Sequence, residues 1–459
     1  MIDELLAISP IDGRYSENLN ELRKYFSEFG LMKYRLKVEL EYFNFVASFL
    51  KYQIDAQLLE KINDLILKFS IDEARRVKQI EKETRHDVEA LVRYIKEKLN
   101  ELGLGSLSHL VHIGLTSEDV SNIAYSLMLN DFNREILLPL LKEFLFELAE
   151  IAKAEKSTIM LARTHGQPAL PTTLGKELIV YVYRVLKIYE LLSNYGFPGK
   201  ISGAVGTYAA LMEIFGKGAV GQLEEFIRRL GLEPWIATKQ ILPHDDISRY
   251  LQALSILAGC LVDLCRDLWL LTMMGYVLVR RIGVGSSTMP QKINPIEIEN
   301  AEGNLELSSN LLNFLSTRLL VSRLQRDLSD STLKRNYGAS ISYLVLGIKN
   351  LRSFLKRIDF NRELMMRDVE KHPEILSEAV QIRARLFGKN IIDELRRIEV
   401  ASPDEYLGEL RKIVEKAGIS PEKAIPRTYE EYLGAASMIV ESIYKLCIDR
   451  LGKNGKADS

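Results

Sequence analysis

The stretch Leu251-Gln-Ala-Leu-Ser-Ile-Leu-Ala-Gly-Cys-Leu-Val262, continued after Asp263-Leu-Cys-Arg-Asp267 by Leu268-Trp-Leu-Leu-Thr-Met-Met-Gly-Tyr-Val-Leu-Val279, decides the fold class. Its apolar residues, Leu251, Leu254, Ile256, Leu257, Leu261, Leu264, Leu268 and Leu271 among them, cover almost the whole circumference of a helix. A helix apolar nearly all round is buried, either in a large bundle or against other subunits. It is too short to span a membrane: each uncharged piece has 12 residues, and a span needs about 20.

Working outward, the placement of helix breakers agrees. No proline stands between Pro10 and Pro139, between Pro243 and Pro290, or between Pro295 and Pro373, and Leu31 to Leu102 holds neither proline nor glycine. Proline breaks helix interiors and glycine weakens them, so such gaps permit long helices. The breaker-free run Asn304–Tyr337 carries Leu305, Leu307, Leu311, Leu312, Leu315, Leu319 and Leu320. No series of alternating strands with turn signals is present. These features predict an all-α fold around a central long-helix bundle. Gly103-Leu-Gly105-Ser106 suggests a boundary, and the basic run Lys349, Arg352, Lys356, Arg357 precedes a more charged final third. The expected domains are 1–105, 106–355 and 356–459.

The 61 Lys plus Arg nearly balance the 62 Asp plus Glu, which argues against a generic nucleic-acid or membrane-surface binder. Cys260, Cys265 and Cys447 form neither a disulfide framework nor a metal-type spacing, so a reducing compartment fits. The N-terminus is acidic and lacks the pattern of a secretory signal. A cytoplasmic protein is expected.

Function concentrates on loops held by rigid elements, and five interruptions carry reactive groups. In Ser9-Pro-Ile-Asp-Gly-Arg-Tyr15, a turn at Asp12-Gly13 would present Arg14 and Tyr15 to a phosphate or carboxylate, or simply end a surface arm. In Thr84-Arg-His-Asp87, His86 between Arg85 and Asp87 can be held in one tautomer, for chemistry or as a satisfied polar residue. Thr116 and Ser117 before Glu118-Asp119 read as a helix N-terminus, able to cap and also to bind an anion. His109 and His112 stand at i, i+3 without a third metal ligand at a matching offset, so no metal is expected. His165, in Arg163-Thr-His-Gly-Gln-Pro-Ala169, suits a general acid or base, or a loop histidine without chemistry. The sharpest segment is Val284-Gly-Ser-Ser-Thr-Met-Pro-Gln-Lys-Ile-Asn-Pro295. Its amides, paired serines, Lys292 and Asn294 can form an anion-binding concavity. The glycines of Gly216-Lys-Gly-Ala-Val-Gly221 lack the strand and βαβ context of a dinucleotide site.

The Ser-Ser-x-Met-Pro-x-Lys-x-Asn-Pro pattern at 286–295 resembles the signature loop of the fumarase/aspartase superfamily of trans β-eliminating lyases. With Ser9–Tyr15, Thr84–Asp87, Thr116–Val120, Arg163–Pro168, Pro243-His-Asp245 and Gln325–Thr332 in register, the chain is most similar to the superfamily's adenylosuccinate lyase branch. The likeness runs from about residue 8 to residue 340; the final third matches only in general helical character. Gln291 is a departure, since His is common there in that branch and Gln in argininosuccinate lyases.

The resemblance implies a three-domain fold whose central bundle is completed by a homotetramer, with active sites shared between chains. It implies small-molecule substrates, adenylosuccinate and succinylaminoimidazole carboxamide ribotide, and no cofactor or metal. The implied base is Ser286, with Ser287 the alternative or a substrate contact, although local reading alone favours a histidine. His165 is the implied acid, with His86 its partner. Lys292, Asn294, Thr116 and Ser117 are expected on the succinyl carboxylates, and Arg14, Tyr15, Arg326, Ser331 and Arg335 on the phosphate. Arg85, Asp87, Gln240 and Asn300 are further expected substrate contacts. A catalytically silent scaffold and a sister lyase acting on argininosuccinate, aspartate or malate are the competing readings.

Overall fold

The computed structural model describes residues 4–282, 288–400 and 402–453. Contacts divide the chain into two compact units: Met1–Leu140, Glu190–Gly259 and Gly303–Gly347 form one, and Leu141–Tyr189, Cys260–Glu302 and Ile348–Ser459 the other. The five divisions fall within five long helices, Leu138–Ala154, Leu174–Ser193, Asp245–Met273, Ile296–Arg318 and Tyr337–Leu355.

In the first unit, the stretch without proline or glycine folds as the helices Glu28–Phe49, Ala56–Leu67, Ile71–Thr84 and Asp87–Glu101. The breaks come from side-chain caps. Asp55 Oδ1 accepts from Leu58 N (2.8 Å), Ser70 Oγ from Glu73 N (3.3 Å) and His86 Nδ1 from Glu89 N (3.2 Å). Each cap satisfies amides that the first helical turn leaves open, so a helix can begin without a breaker before it. Helix Ser117–Phe132 packs on Glu28–Phe49. Leu36, Phe43, Val46, Val120, Ile123, Leu129 and Phe132 are buried.

The apolar stretch that decides the fold class lies in helix Asp245–Met273, where Leu251, Leu254, Leu257, Leu261, Leu264 and Leu268 are fully buried. Ser255 Oγ meets Ser309 Oγ at 2.9 Å, and Arg266 pairs with Glu302 at 2.7 Å, tying this helix to Ile296–Arg318. The helix stops short of Val279. Gly275 takes a left-handed φ of 76°, and Val277–Val279 then pairs antiparallel with Ile358–Phe360. The run Asn304–Tyr337 is also interrupted. Helix Ile296–Arg318 ends, Leu324 has φ 49°, and helix Ser329–Lys334 follows. Asp327 organises the break: its carboxylate accepts from Arg323 N (3.1 Å) and Ser329 N (2.8 Å).

Strands are accessories in an otherwise helical fold. The longest pair is a hairpin in the second unit, Ile159–Thr164 with Gln167–Thr173, and Pro198–Gly199 lies parallel to Glu233–Pro234 in the first. Val380, Ala384, Leu410, Val414 and Ala424 form a buried cluster in the C-terminal region. No described helix is long and apolar enough to cross a membrane.

Candidate active site

Thr84–Asp87 is the joint between two helices. Arg85 closes helix Ile71–Thr84 in the left-handed region (φ 53°), and His86 opens Asp87–Glu101. Because His86 Nδ1 accepts the Glu89 amide, a neutral ring carries its proton on Nε2, the nitrogen left for a ligand. Asp87 is held by cations. Its Oδ2 accepts from Arg35 Nη1 at 2.7 Å and from Arg335 Nη2 at 3.0 Å. Burial pushes the carboxyl up, but the two guanidinium groups and the Val88 amide outweigh it and hold it at about 2.

Thr116 and Ser117 begin helix Ser117–Phe132, as the capping reading expects, and Asp119 works inward. Its Oδ2 accepts from Thr116 N (2.8 Å) and Gly203 N (3.2 Å), and its Oδ1 from Lys200 Nζ (2.7 Å) and Ser202 N (3.0 Å). Asp119 and Lys200 are fully buried, so the pair is matched and hydrogen-bonded out of water. It fixes the 200–203 segment to the helix start and leaves the Thr116 and Ser117 side chains beside a cavity.

That cavity has a volume of about 750 Å³, and its lining residues, among those described, all belong to the first unit. His86, Asp87, Thr116, Ser117, Gln240, Arg326 and Ser331, all expected from the sequence, line it. Gln240 Nε2 donates to Ala204 O at 2.9 Å, and its Oε1 faces Arg326 Nη1 at 3.4 Å. Arg335 Nη1 donates to Ser331 Oγ at 2.7 Å and borders a second cavity of about 390 Å³ with Ser9, Ile11 and Asp12. Hydroxyls, amides and guanidinium groups are frequent in the walls of the 750 Å³ cavity, a donor set suited to anions, whereas the smaller one also holds Asp12, Glu28, Leu19, Leu22 and Phe26.

The remaining expected residues are not lining residues of the 750 Å³ cavity. Arg14 and Tyr15 follow the Asp12–Gly13 turn, where Tyr15 N bonds to Pro10 O at 2.9 Å. Arg14 is exposed. Arg85 sits at the joint described above. His165, Lys292, Asn294 and Asn300 belong to the second unit. His165 and Gly166 are the two turn residues of the hairpin, with φ of 54° and 76°, and the His165 ring is exposed without a partner among the described residues. Lys292 is exposed, its amide bonded to Met289 O at 3.0 Å, just before helix Ile296–Arg318. Ser286 and Ser287 lie outside the described residues.

The comparisons fit this arrangement. The family described as Lyase matches residues 13–306, and the one described as Adenylosuccinate lyase C-terminal matches 322–424. Adenylosuccinate lyase of Buchnera aphidicola subsp. Baizongia pistaciae is 38% identical over 457 residues, covering 95% of this chain and 97% of that protein. The chain belongs to the adenylosuccinate lyase family. The Haemophilus influenzae adenylosuccinate lyase is 34% identical over 96% of this chain and 99% of its own. Solved structures share the fold. A fumarate lyase from Mesorhizobium sp. BNC1 superposes with a TM-score of 0.74 at 18% identity, over 93% of this chain and 97% of that one. A 3-carboxy-cis,cis-muconate lactonizing enzyme from Pseudomonas putida gives 0.75 at 20%, over 94% and 98%. The fumarase/aspartase-like all-α class is thus correct. The final third carries more than general helical character, since the family's C-terminal region matches it.

Set against the adenylosuccinate lyase motifs, the cavity holds residues that sequence reading passed over. Arg35, on helix Glu28–Phe49, and Arg323 line it. Lys334 stands behind it, buried between Glu118 and Asp330 at 2.8 Å from each. None stands out locally: Arg35 lies between Lys33 and Lys37, Lys334 adjoins Arg335, and their spacing matches no motif. His109 and His112 separate, the first bonding Ser106 O and the second Glu39 Oε1 (2.6 Å).

Proposed function

We propose that this protein cleaves adenylosuccinate to AMP and fumarate, and acts likewise on succinylaminoimidazole carboxamide ribotide. The reading rests on the near-full-length likeness to adenylosuccinate lyases. The donor-rich cavity supports it.

The chemistry is a trans β-elimination. A base takes the proton from the carbon next to a succinyl carboxylate, and the electron pair is held as a dianionic aci-carboxylate. The C–N bond then breaks, fumarate forms, and an acid protonates the departing nitrogen. Proton transfers contribute roughly 10²–10⁴-fold each, and preorganised positive potential usually more. We assign the base to Ser286, with Ser287 as the alternative, and the acid to His165. A serine base requires a water-excluded alkoxide surrounded by donors, which Lys292 and the loop amides would supply. His86 orients the substrate through Nε2. Thr116, Ser117, Asn294 and Lys292 hold the carboxylates, Asn300 is a further substrate contact, and Arg14, Tyr15, Arg326, Ser331 and Arg335 hold the phosphate. Asp87 shapes this wall, Arg85 is a further substrate contact from the adjoining joint, and Gln240 orients Arg326 as well as meeting the substrate.

Four copies assemble, and each active site draws on three of them. Supporting this, Ile256 (64% exposed) and Met273 (65%) on helix Asp245–Met273 are open in the single chain, as is Phe314 (54%) on Ile296–Arg318. Exposed apolar surface on otherwise buried helices fits a subunit interface. Light scattering should give a four-chain mass; a monomer overturns the shared site.

The deciding assay mixes the protein with adenylosuccinate, follows the ultraviolet change and identifies fumarate. Conversion without added metal or cofactor is expected. Turnover of argininosuccinate, aspartate or malate instead would assign a sister lyase, and silence on all four the scaffold.

A further inference from the structure

Behind the cavity wall lies a buried ionic cluster whose members come from distant parts of the chain. Lys334, 4% exposed, places Nζ 2.8 Å from Glu118 Oε1 and 2.8 Å from Asp330 Oδ2. The Arg326 guanidinium approaches the same two carboxylates more loosely, with Nη2 at 3.5 Å from Glu118 and 3.9 Å from Asp330. Arg326 Nε has no hydrogen-bond partner among the described residues, and Nη1 turns to Gln240 at the cavity. His244 completes the group. It is 4% exposed, its Nδ1 has no hydrogen-bond partner among the described residues, and its ring lies within reach of Glu118 and Asp330.

With His244 neutral, two carboxylates face two cations and the cluster carries no net charge. Burial, reinforced by Lys334 and opposed by Glu118, Asp330 and Asp245, pushes His244 down to about 4. Burial opposes the charge on Lys334 as well, but Glu118 and Asp330 more than offset it and raise the ammonium. Attraction falls with distance and is strong out of water. The ammonium at 2.8 Å therefore holds both carboxylates ahead of the guanidinium.

We infer that Lys334 is a positioning residue: by occupying Glu118 and Asp330 it leaves the Arg326 guanidinium free to meet a substrate anion in the cavity. The inference rests on Arg326 being a substrate contact. Without Lys334, Arg326 is the only permanent cation paired with the two buried carboxylates among the described residues, and it is drawn back onto them, away from the cavity. His244 then becomes the second cation when it takes a proton. It is faced by Glu118, Asp330 and Asp245 as acids, Arg326 stands beside the first two as the remaining basic group, and Lys334's repulsion is gone. Protonated His244 restores neutrality and releases Arg326.

The test uses the full-length enzyme and adenylosuccinate. Lys334→Met should raise KM at least tenfold at pH 8 with kcat within about threefold of wild type. The excess over wild type should shrink as pH falls from 8 to 6. Lys334→Met/Asp330→Asn, which removes one charge of each sign, should bring KM back to within about threefold of wild type at both pH values. Asp330→Asn alone keeps both cations and should leave KM no higher than wild type, which tests the idea even if Lys334→Met does not fold. Arg326→Ala separates the two readings. An unchanged KM there removes Arg326 from substrate binding. A raised KM in Arg326→Ala beside a wild-type KM in Lys334→Met overturns the positioning role. So do a pH-independent loss that the double variant fails to repair, and a tenfold rise in Asp330→Asn.

Discussion

Arg335 Nη2 donates to Asp87 Oδ2 at 3.0 Å, joining the start of helix Asp87–Glu101 to the end of Ser329–Lys334 across 248 positions of sequence. Arg35 bonds the same oxygen. The carboxyl titrates at about 2 in the fold against an ordinary 3.8. For a depressed carboxylate, the stabilisation is present above about pH 4 and is lost as pH falls toward 2. A shift of this size corresponds to about 2 kcal/mol. Asp87→Asn should lose roughly that much at pH 7 and flatten the acid limb between pH 4 and 2, measured by urea unfolding at each pH. An unchanged acid limb would show that Asp87 carries none of it.

Arg335 also donates to Ser331 Oγ, which lines the cavity. If these groups grip the substrate's phosphate, their truncation removes binding present in both ground and transition states. Arg335→Ala and Arg14→Ala should then raise KM about tenfold or more with little change in kcat. Steady-state kinetics with adenylosuccinate decide this. A normal KM in either variant takes that arginine off the phosphate.

His112 and Glu39 meet at 2.6 Å, with the Glu39 side chain fully buried. Burial alone would lower the imidazole, but the Glu39 hydrogen bond and charge outweigh it and raise the group above 6.5. For a raised histidine, the stabilisation is complete below about pH 6.5 and fades as pH climbs through the folded value. The melting temperature should fall on the alkaline side of neutrality, and His112→Gln should remove that slope while lowering the plateau at pH 6. Parallel pH curves for the two proteins would exclude the pair as its source.

What could be read from sequence and what could not divide along a physical line. Apolar periodicity gave helix Asp245–Met273 because burial leaves its mark residue by residue. Thr116, Ser117 and His86 were legible because caps and loops have local signatures. The break at 319–328 was not, since it depends on Asp327 holding two amides and on Leu324 in the left-handed region rather than on proline or glycine. Lys334 and Arg35 were invisible for a different reason. Their meaning lies in partners 216 and 52 positions away, Glu118 and Asp87, which no local pattern announces. Tyr276–Val279 was read as helix because its apolar residues continue the preceding run; Gly275 ends that run and a strand partner takes over.

Chemistry should separate from binding in the proposed acid and base. His165→Ala and Ser286→Ala are each expected to lose at least about 10²-fold in kcat, because each removes a proton transfer made in the transition state. Substrate should still bind, read by equilibrium titration of the variants. Near-normal turnover in one of them removes that residue from its role, and Ser287→Ala then tests the neighbouring hydroxyl.

The placement of His165 itself depends on a two-residue turn in which both members have positive φ, 54° for His165 and 76° for Gly166. Such turns match the twist of the flanking strands, here Ile159–Thr164 and Gln167–Thr173, and glycine enters the left-handed region without penalty. A Cβ built on Gly166 meets nothing within 4 Å among the described residues, so the cost of Gly166→Ala is conformational, about 1–2 kcal/mol. Part of that cost is relieved by twisting the turn, which swings the preceding imidazole. Gly166→Ala should therefore leave the fold intact, lower the melting temperature slightly, and reduce kcat more than it changes KM, although no reacting group is deleted. Gly231→Ala provides the control. Gly231 has φ 79° and likewise open space around it, but lies in the first unit far along the chain from the hairpin. It should show a similar loss of stability with normal kcat. Equal kcat losses in the two variants would mean that lowered stability, rather than the aim of His165, accounts for the effect.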